Sequence, residues 1–219
     1  MSNLFIVTSA INSFRSVIPL DKRYEQTLET IESVRTKVPD SIILLAESSP
    51  NPVPENILQD LSKKVDYLLI NSNIPDIIQL GKQGLQSPAE AYSLAFTLDV
   101  VENLLPEVKR IFKVTGRGSL TDDFHIEDHA IEGKYVFKRR VDSWISKDIQ
   151  LVDTRIFSFC GSLIPETKEM MRRIVNHSLQ TGRDLEHCVF ELMDKEKLEE
   201  RDVMGFKCQI SSTGFMQFD

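Results

Sequence analysis

At 219 residues, 41% of them hydrophobic and 27% charged, the chain has the material for one substantial core and lies outside the composition that keeps chains disordered. Twenty-six Lys and Arg against 33 Asp and Glu give a net charge of −7; this disfavours duplex nucleic acid as a partner, because no global positive field draws a polyanion. The longest apolar run, Ile42 to Ala46, falls far short of the roughly 20 residues a spanning helix needs, so no transmembrane segment is expected.

The start, MSNLFIVTSAINS, has no basic n-region and turns polar too soon for a signal peptide. It reads as the first strand, Leu4 to Val7, of a cytoplasmic protein. Tyr24, Leu28, Ile31, Val34 and Val38 then recur at helical spacing, and Pro39 closes that helix. Ser41 to Ala46 is a second strand, a proline-rich turn leads into a helix over Glu55 to Lys64, and Asp66 to Ile70 is a third strand. Asn71 to Gln86 reads as a loop. Ser87-Pro88-Ala89-Glu90 has the form of a capping box with Pro at N1, opening a helix that runs to about Asn103. Arg110 to Thr115 is a fourth strand ending in Gly116-Arg117-Gly118, where glycines allow positive φ and close backbone approach. Beyond an acidic loop, Thr121 to Asp128, strands are expected at Tyr135 to Lys138 and Thr154 to Cys160. Helices follow over Pro165 to Leu179 and Asp184 to Met193, with a last strand near Phe206 to Ile210. Alternating strands and helices in the first half predict βαβ units and a largely parallel sheet, with α+β character later.

In such a sheet ligands bind beyond the carboxyl ends of the strands, where helix N-termini face the crevice. The strand exits carry Thr8, Ser9 and Asn12, then Glu47 and Ser48, then Asn71 and Asn73, then Arg117. Leu80-Gly81-Lys82-Gln83-Gly84 sets a lysine among glycines, suited to a phosphate. Neither a G-x-x-x-x-G-K-S/T nor a G-x-G-x-x-G pattern is present, which removes the main support for ATPase and dinucleotide readings. Four carboxylates and two imidazoles between Asp122 and His129 suggest a metal site or a metal-dependent hydrolase, although the spacing is neither H-E-x-x-H nor D-x-D and a solvated acidic loop explains it as well. Lys138-Arg139-Arg140 can face a diphosphate or simply water. Asp184-Leu185-Glu186-His187 opens a helix, where carboxylates are favoured in any case; there Glu186 is the candidate general base, with His187 tuning it or substituting for it. No G-x-S-x-G elbow supports a Ser-His-Asp hydrolase. Cys160, Cys188 and Cys208, an odd and scattered set, read as reduced thiols without a disulfide framework.

Together, FIVTSAINS, IILLAESS, the glycine-containing loop and KVTGR-x-x-L resemble GT-A-fold glycosyltransferases. KVTGR-x-x-L is similar to the Lys-Ile/Val-Ser/Thr-Gly-Arg-Tyr/Phe-x-Leu stretch of small WavE-like transferases associated with lipopolysaccharide or capsule synthesis. TRIFSFCGSL, DLEHCVFELM and GFKCQISSTG resemble the later segments of that group. The resemblance implies one GT-A-like (Rossmann-like) domain, a three-layer αβα sandwich with a mixed, mostly parallel sheet. Residues 1–118 would form the nucleotide-binding half and 119–219 the acceptor and catalytic half. It implies a nucleotide-sugar donor and a saccharide or lipid-linked acceptor. Thr8 and Ser9 would line the nucleotide pocket, Glu47 would read the nucleoside, Arg117 would sit near the donor diphosphate and Glu186 would supply the base; Lys82 and Lys113 are added as donor-side candidates and His187 as a catalytic one.

The chain departs from the family in two places. Thr115-Gly116-Arg117 stands where a D-x-D would grip a Mn²⁺ or Mg²⁺ ion. Asp122 and Asp123 are then the remaining candidate metal ligands, and metal independence through Arg117 and Lys82 is the other course. Gly118 stands where the group commonly has an aromatic that stacks on the acceptor. An inactive GT-A-like domain that binds a nucleotide or a partner is the alternative to an active transferase.

Overall fold

The computed structural model describes residues 2–13, 16–209 and 215–218. The elements run β1 (Asn3–Ser9), α1 (Leu20–Lys37), β2 (Ile42–Glu47), α2 (Glu55–Ser62), β3 (Tyr67–Ile70), α3 (Pro75–Gln83), α4 (Gln86–Leu104), β4 (Arg110–Thr115) and β5 (Gly118–Leu120). The second half holds β6 (Tyr135–Lys138), β7 (Val141–Asp142), β8 (Gln150–Leu151), β9 (Ile156–Cys160), α5 (Ile164–Thr181), α6 (Leu185–Leu192), β10 (Leu198–Arg201), β11 (Phe206–Gln209) and β12 (Met216–Phe218). Ile210, the predicted end of the last strand, lies outside the described residues.

Seven strands form the central sheet in the order β10-β6-β9-β4-β1-β2-β3. The pairs β1–β2, β1–β4, β2–β3 and β10–β6 are parallel, and only the two pairs made by β9 are antiparallel. Strand period sorts the side chains between two cores. Leu4, Ile6, Ile111, Phe157 and Phe159 face α4, α5 and α6 through Ala91, Leu94, Leu98, Met171 and Cys188. Phe5, Val7, Ile43, Leu45 and Phe112 face the opposite way, onto Ile31 and Val34 of α1 and Ile57 and Leu61 of α2. A three-layer αβα sandwich with a mixed, mostly parallel sheet results. A small antiparallel sheet, β12-β11-β5, completes the second layer with Leu120, Phe206 and Cys208.

Some sequence expectations change. Residues 71–86 are not a loop: a 3-10 turn, Asn71–Asn73, runs into α3, which has Pro75 at its start and ends on Gly84 at φ 78°. These are ordinary start and stop signals, and Lys82 therefore sits on a helix rather than in a glycine loop. Helix α4 begins at Gln86 after Leu85, two residues earlier than the capping box implies, and no side chain caps it. Glu90 reaches Lys113 instead of turning back, because a buried ammonium is a stronger partner than a backbone N–H. Neither Gly116 nor Gly118 has positive φ. Close approach is what requires Gly118: a Cβ there would stand 2.3 Å from the Phe206 ring and 2.4 Å from the Lys207 carbonyl oxygen. An acceptor-stacking aromatic cannot occupy that position without displacing β11.

Candidate functional site

A cavity of about 130 Å³ opens where β1, β2 and β4 end, walled by Thr8, Ser9, Ser48 and Thr115 from the strand exits and by the first turns of α4. Local bonds hold these exits together. Gly116 N–H donates to the Thr8 carbonyl at 2.8 Å, Ser48 N–H to the Ser9 carbonyl at 2.8 Å, and the Thr27 hydroxyl to the Gly116 carbonyl at 3.1 Å. The Ser48 and Ser93 hydroxyls lie 2.6 Å apart, tying β2 to α4.

The cavity is locally positive in a chain of net charge −7. Among the described residues Arg23 and Arg117 line it against one carboxylate, Glu90, with the buried Glu47 carboxylate acting on Arg23 from below. Arg23 is only 6% exposed. Its guanidinium donates to Ser16 Oγ at 2.9 Å, while its Nε is buried with no hydrogen-bond partner among the described residues. Burial, and then the charge of Arg117, hold this guanidinium down to about 10, so it stays charged at neutral pH. Two cations lining one cavity, near enough for the charge of Arg117 to depress the Arg23 pKa, are stabilised by an anion placed between them. Glu90 does not play that part, because its Oε1 lies 2.6 Å from the ammonium of Lys113, which also donates to the Thr154 carbonyl at 2.7 Å. Burial works against ionisation of Glu90, but Lys113 and Arg117 outweigh it and hold the carboxyl below its ordinary value. The uncapped start of the 19-residue helix α4 adds free N–H groups and the positive end of its dipole.

Thr154 links the cavity to the start of α6. Its hydroxyl donates to Glu186 Oε1 at 2.7 Å, so Glu90, Lys113, Thr154 and Glu186 form one chain of contacts. Burial pushes the Glu186 carboxyl up, the Thr154 hydroxyl pulls it back, and the charges of Asp184 and Glu90 add to the rise. Glu186 does not line the cavity itself and is joined to it through Thr154, Lys113 and Glu90; a half-buried carboxyl with a raised pKa is suited to proton transfer.

His187 cannot substitute for Glu186, since its side chain has no exposure and both ring nitrogens are engaged. Nδ1 lies 2.5 Å from Asp184 Oδ1 and Nε2 2.6 Å from Ser143 Oγ. That order of groups matches a Ser-His-Asp triad, but Ser143 is buried. Its amide donates to the Ile149 carbonyl and the Ile145 amide donates to its hydroxyl. These bonds and the Ser143–His187–Asp184 trio lock the β7–β8 hairpin to α6.

Other predicted site residues lie elsewhere. Glu47 is fully buried below the cavity, its carboxylate accepting from the amides of Ile11 and Ser49 and from the Ser49 hydroxyl. It shapes the β1 and β2 loops rather than facing a ligand. Asn12 donates to the Pro52 carbonyl and Asn71 to Ser93 and Thr97. Lys82 is exposed, and it is Gly81 that reaches the cavity wall. The structure disperses the acidic loop: Asp122 pairs with Lys37, and Asp123, His125, Glu127 and Asp128 are exposed. His129 is buried against Phe112 and Phe124 with Nδ1 2.8 Å from Ser158 Oγ, and burial drives its pKa down to about 3. Among the described residues no group of three or more His, Cys, Asp or Glu is placed to hold a metal ion. Arg139 and Arg140 pair with Asp202 and Glu200 at the β10 edge. The three cysteines are free and buried, and Cys160 contacts Glu132 and Ser162.

Arg23 and Glu90 are the site residues the sequence reading misses. Arg23 belongs to a polar buried stripe of α1 with Gln26, Thr27 and Thr30. Four polar positions at helical spacing beside the apolar Ile31 and Val34 were the available signal.

No protein-family model and no curated protein matches the chain. Its fold is similar to the crystal structure of a glycosyltransferase involved in glycosylation of the major capsid of PBCV-1. The TM-score is 0.53 at 9% identity, over 90% of this chain and 81% of that one. It is also similar to the galactosyltransferase LgtC in complex with donor and acceptor sugar analogs, with a TM-score of 0.52 at 7% identity, over 90% of this chain and 72% of that one. The chain therefore has a GT-A-like glycosyltransferase fold.

Proposed function

We propose that the chain transfers a glycosyl group from a nucleotide-sugar donor to a saccharide or lipid-linked acceptor. The observation that carries this reading is the pair Arg23 and Arg117, converging on a cavity at the strand exits of a transferase-type fold. A donor's diphosphate satisfies both guanidiniums and the start of α4 together. Lys113, neutralising Glu90, keeps that carboxylate from repelling the diphosphate. Glu186 takes the proton of the acceptor hydroxyl, whose oxygen attacks the anomeric carbon as the nucleoside diphosphate leaves. The arginines stabilise the charge that builds on the departing group.

GT-A enzymes commonly hold this diphosphate through a divalent ion. Here the donor set does not fit one: the D-x-D position reads Thr115-Gly116-Arg117, and Glu90, the only carboxylate lining the cavity among the described residues, is already paired with Lys113. We read the guanidiniums as taking the ion's place.

A thermal-shift series with UDP, GDP and CMP, each in Mn²⁺, Mg²⁺ or EDTA, tests donor binding. One nucleotide at about 100 times its Kd raises Tm by about 5 °C or more, and the rise persists in EDTA. No shift from any of the three overturns the reading.

A further inference from the structure

We propose that Trp144 is the stacking platform for the acceptor saccharide, a role that Gly118 cannot fill. The inference rests on the transferase reading and adds the acceptor side of the same site.

Trp144 lies at the tip of the β7–β8 hairpin and is 73% exposed, although the turn that carries it is firmly held. Ser143 N–H donates to the Ile149 carbonyl at 2.7 Å, Ile145 N–H to Ser143 Oγ at 2.9 Å, and Ser143 Oγ lies 2.6 Å from the buried His187. His187 is fixed in turn by Asp184, the residue that caps α6. The indole meets the His187 ring nearly at right angles, 78° between planes and 5.0 Å between centroids. One side of the indole is therefore pinned beside the residue that follows Glu186, while most of its surface faces water.

Leaving so large an aromatic surface exposed forfeits the free energy its burial would supply. An indole on a fixed turn, packed on the His187 ring at the start of the helix that carries Glu186, suits a pyranose, whose face of C–H groups packs on the electron-rich ring while its hydroxyls stay hydrated. A lipid surface is the competing occupant, since Val141 and Ile145 are also exposed. The hairpin's charges oppose it: Asp142 and Asp148 outnumber Lys147, so the tip carries no basic cluster to meet anionic headgroups.

Trp144 is the only tryptophan in the chain, so intrinsic emission reports on this position alone. The intact protein, saturated with the nucleoside diphosphate it binds, is titrated with methyl β-D-galactopyranoside, methyl α-D-mannopyranoside, maltotriose and cellotriose. Glycerol and phosphatidylglycerol vesicles are the controls. A saturable change with a pyranoside and none with glycerol is expected. In turnover, Trp144→Ala raises acceptor KM about tenfold without moving donor KM, and Trp144→Phe recovers part of the loss. An emission change with vesicles but with no saccharide, or an unchanged acceptor KM in Trp144→Ala, overturns the proposal. A protein that binds no nucleotide fails the transferase reading instead; one that binds and turns over donor while its tryptophan ignores every saccharide fails only this inference.

Discussion

Glu186→Gln lowers kcat by about 10² to 10⁴, the range that a positioned general base supplies, while nucleotide affinity stays within twofold of the wild type. The amide keeps an oxygen able to accept from the Thr154 hydroxyl, so the local fold is retained and the loss falls on the chemistry. The pH profile gives a second readout. Burial and the charges of Asp184 and Glu90 raise the Glu186 pKa, so the acid limb of kcat/KM, where the base becomes protonated and activity falls, lies above the ordinary carboxylate range. That limb disappears from the residual activity of the variant. A variant with wild-type kcat contradicts the assignment of Glu186 as the base.

Arg117→Ala weakens binding of the nucleoside diphosphate by about tenfold to about 150-fold, corresponding to a charge-assisted hydrogen bond of about 1.5–3 kcal/mol. The half-buried side chain sits in the cavity wall and not in either core, so the fold tolerates its loss. The Arg23 guanidinium then rises from about 10, because one of the two causes that depress it is the Arg117 charge. Calorimetric titration of the nucleotide into the variant checks the affinity, with salt dependence as a second signature: fewer cations on the phosphates means a shallower loss of affinity with ionic strength. Unchanged affinity in Arg117→Ala contradicts a diphosphate held by the two arginines.

The strands that build the cavity were legible because each is a short apolar run that turns polar where the sheet ends. Phe5 and Val7 alternate with Leu4 and Ile6 between two cores, and Arg110–Thr115 reads the same in sequence and structure. Residues whose surroundings come from distant segments were not legible. Glu90 looks like a capping residue until β4 brings Lys113 to it, and Arg23 looks like a surface cation until the fold buries it, with Ser16 of the β1–α1 loop accepting from its guanidinium. Helix α3 was hidden because Gly81 and Gly84 suggested a loop, yet Gly81 serves close packing, with Pro50 Cβ 3.1 Å from where its own Cβ would be. The edge strand β10, Leu-Glu-Glu-Arg, has no apolar alternation to reveal it, and β7 and β8 are two residues each. Pairing with neighbours makes these strands. Glu186 was legible from its place at a helix start, whereas its link through Thr154 to Lys113 is a tertiary fact.

The most direct measurement is release of nucleoside diphosphate from intact UDP- and GDP-sugars, with a saccharide acceptor present and EDTA in excess. Release by the wild-type chain that continues under chelation, and that falls at least about tenfold at subsaturating donor in both Glu186→Gln and Arg117→Ala, is the expected result. No release from any donor, with or without added Mn²⁺, contradicts glycosyl transfer, and release that appears only with the added cation contradicts a diphosphate held by Arg23 and Arg117.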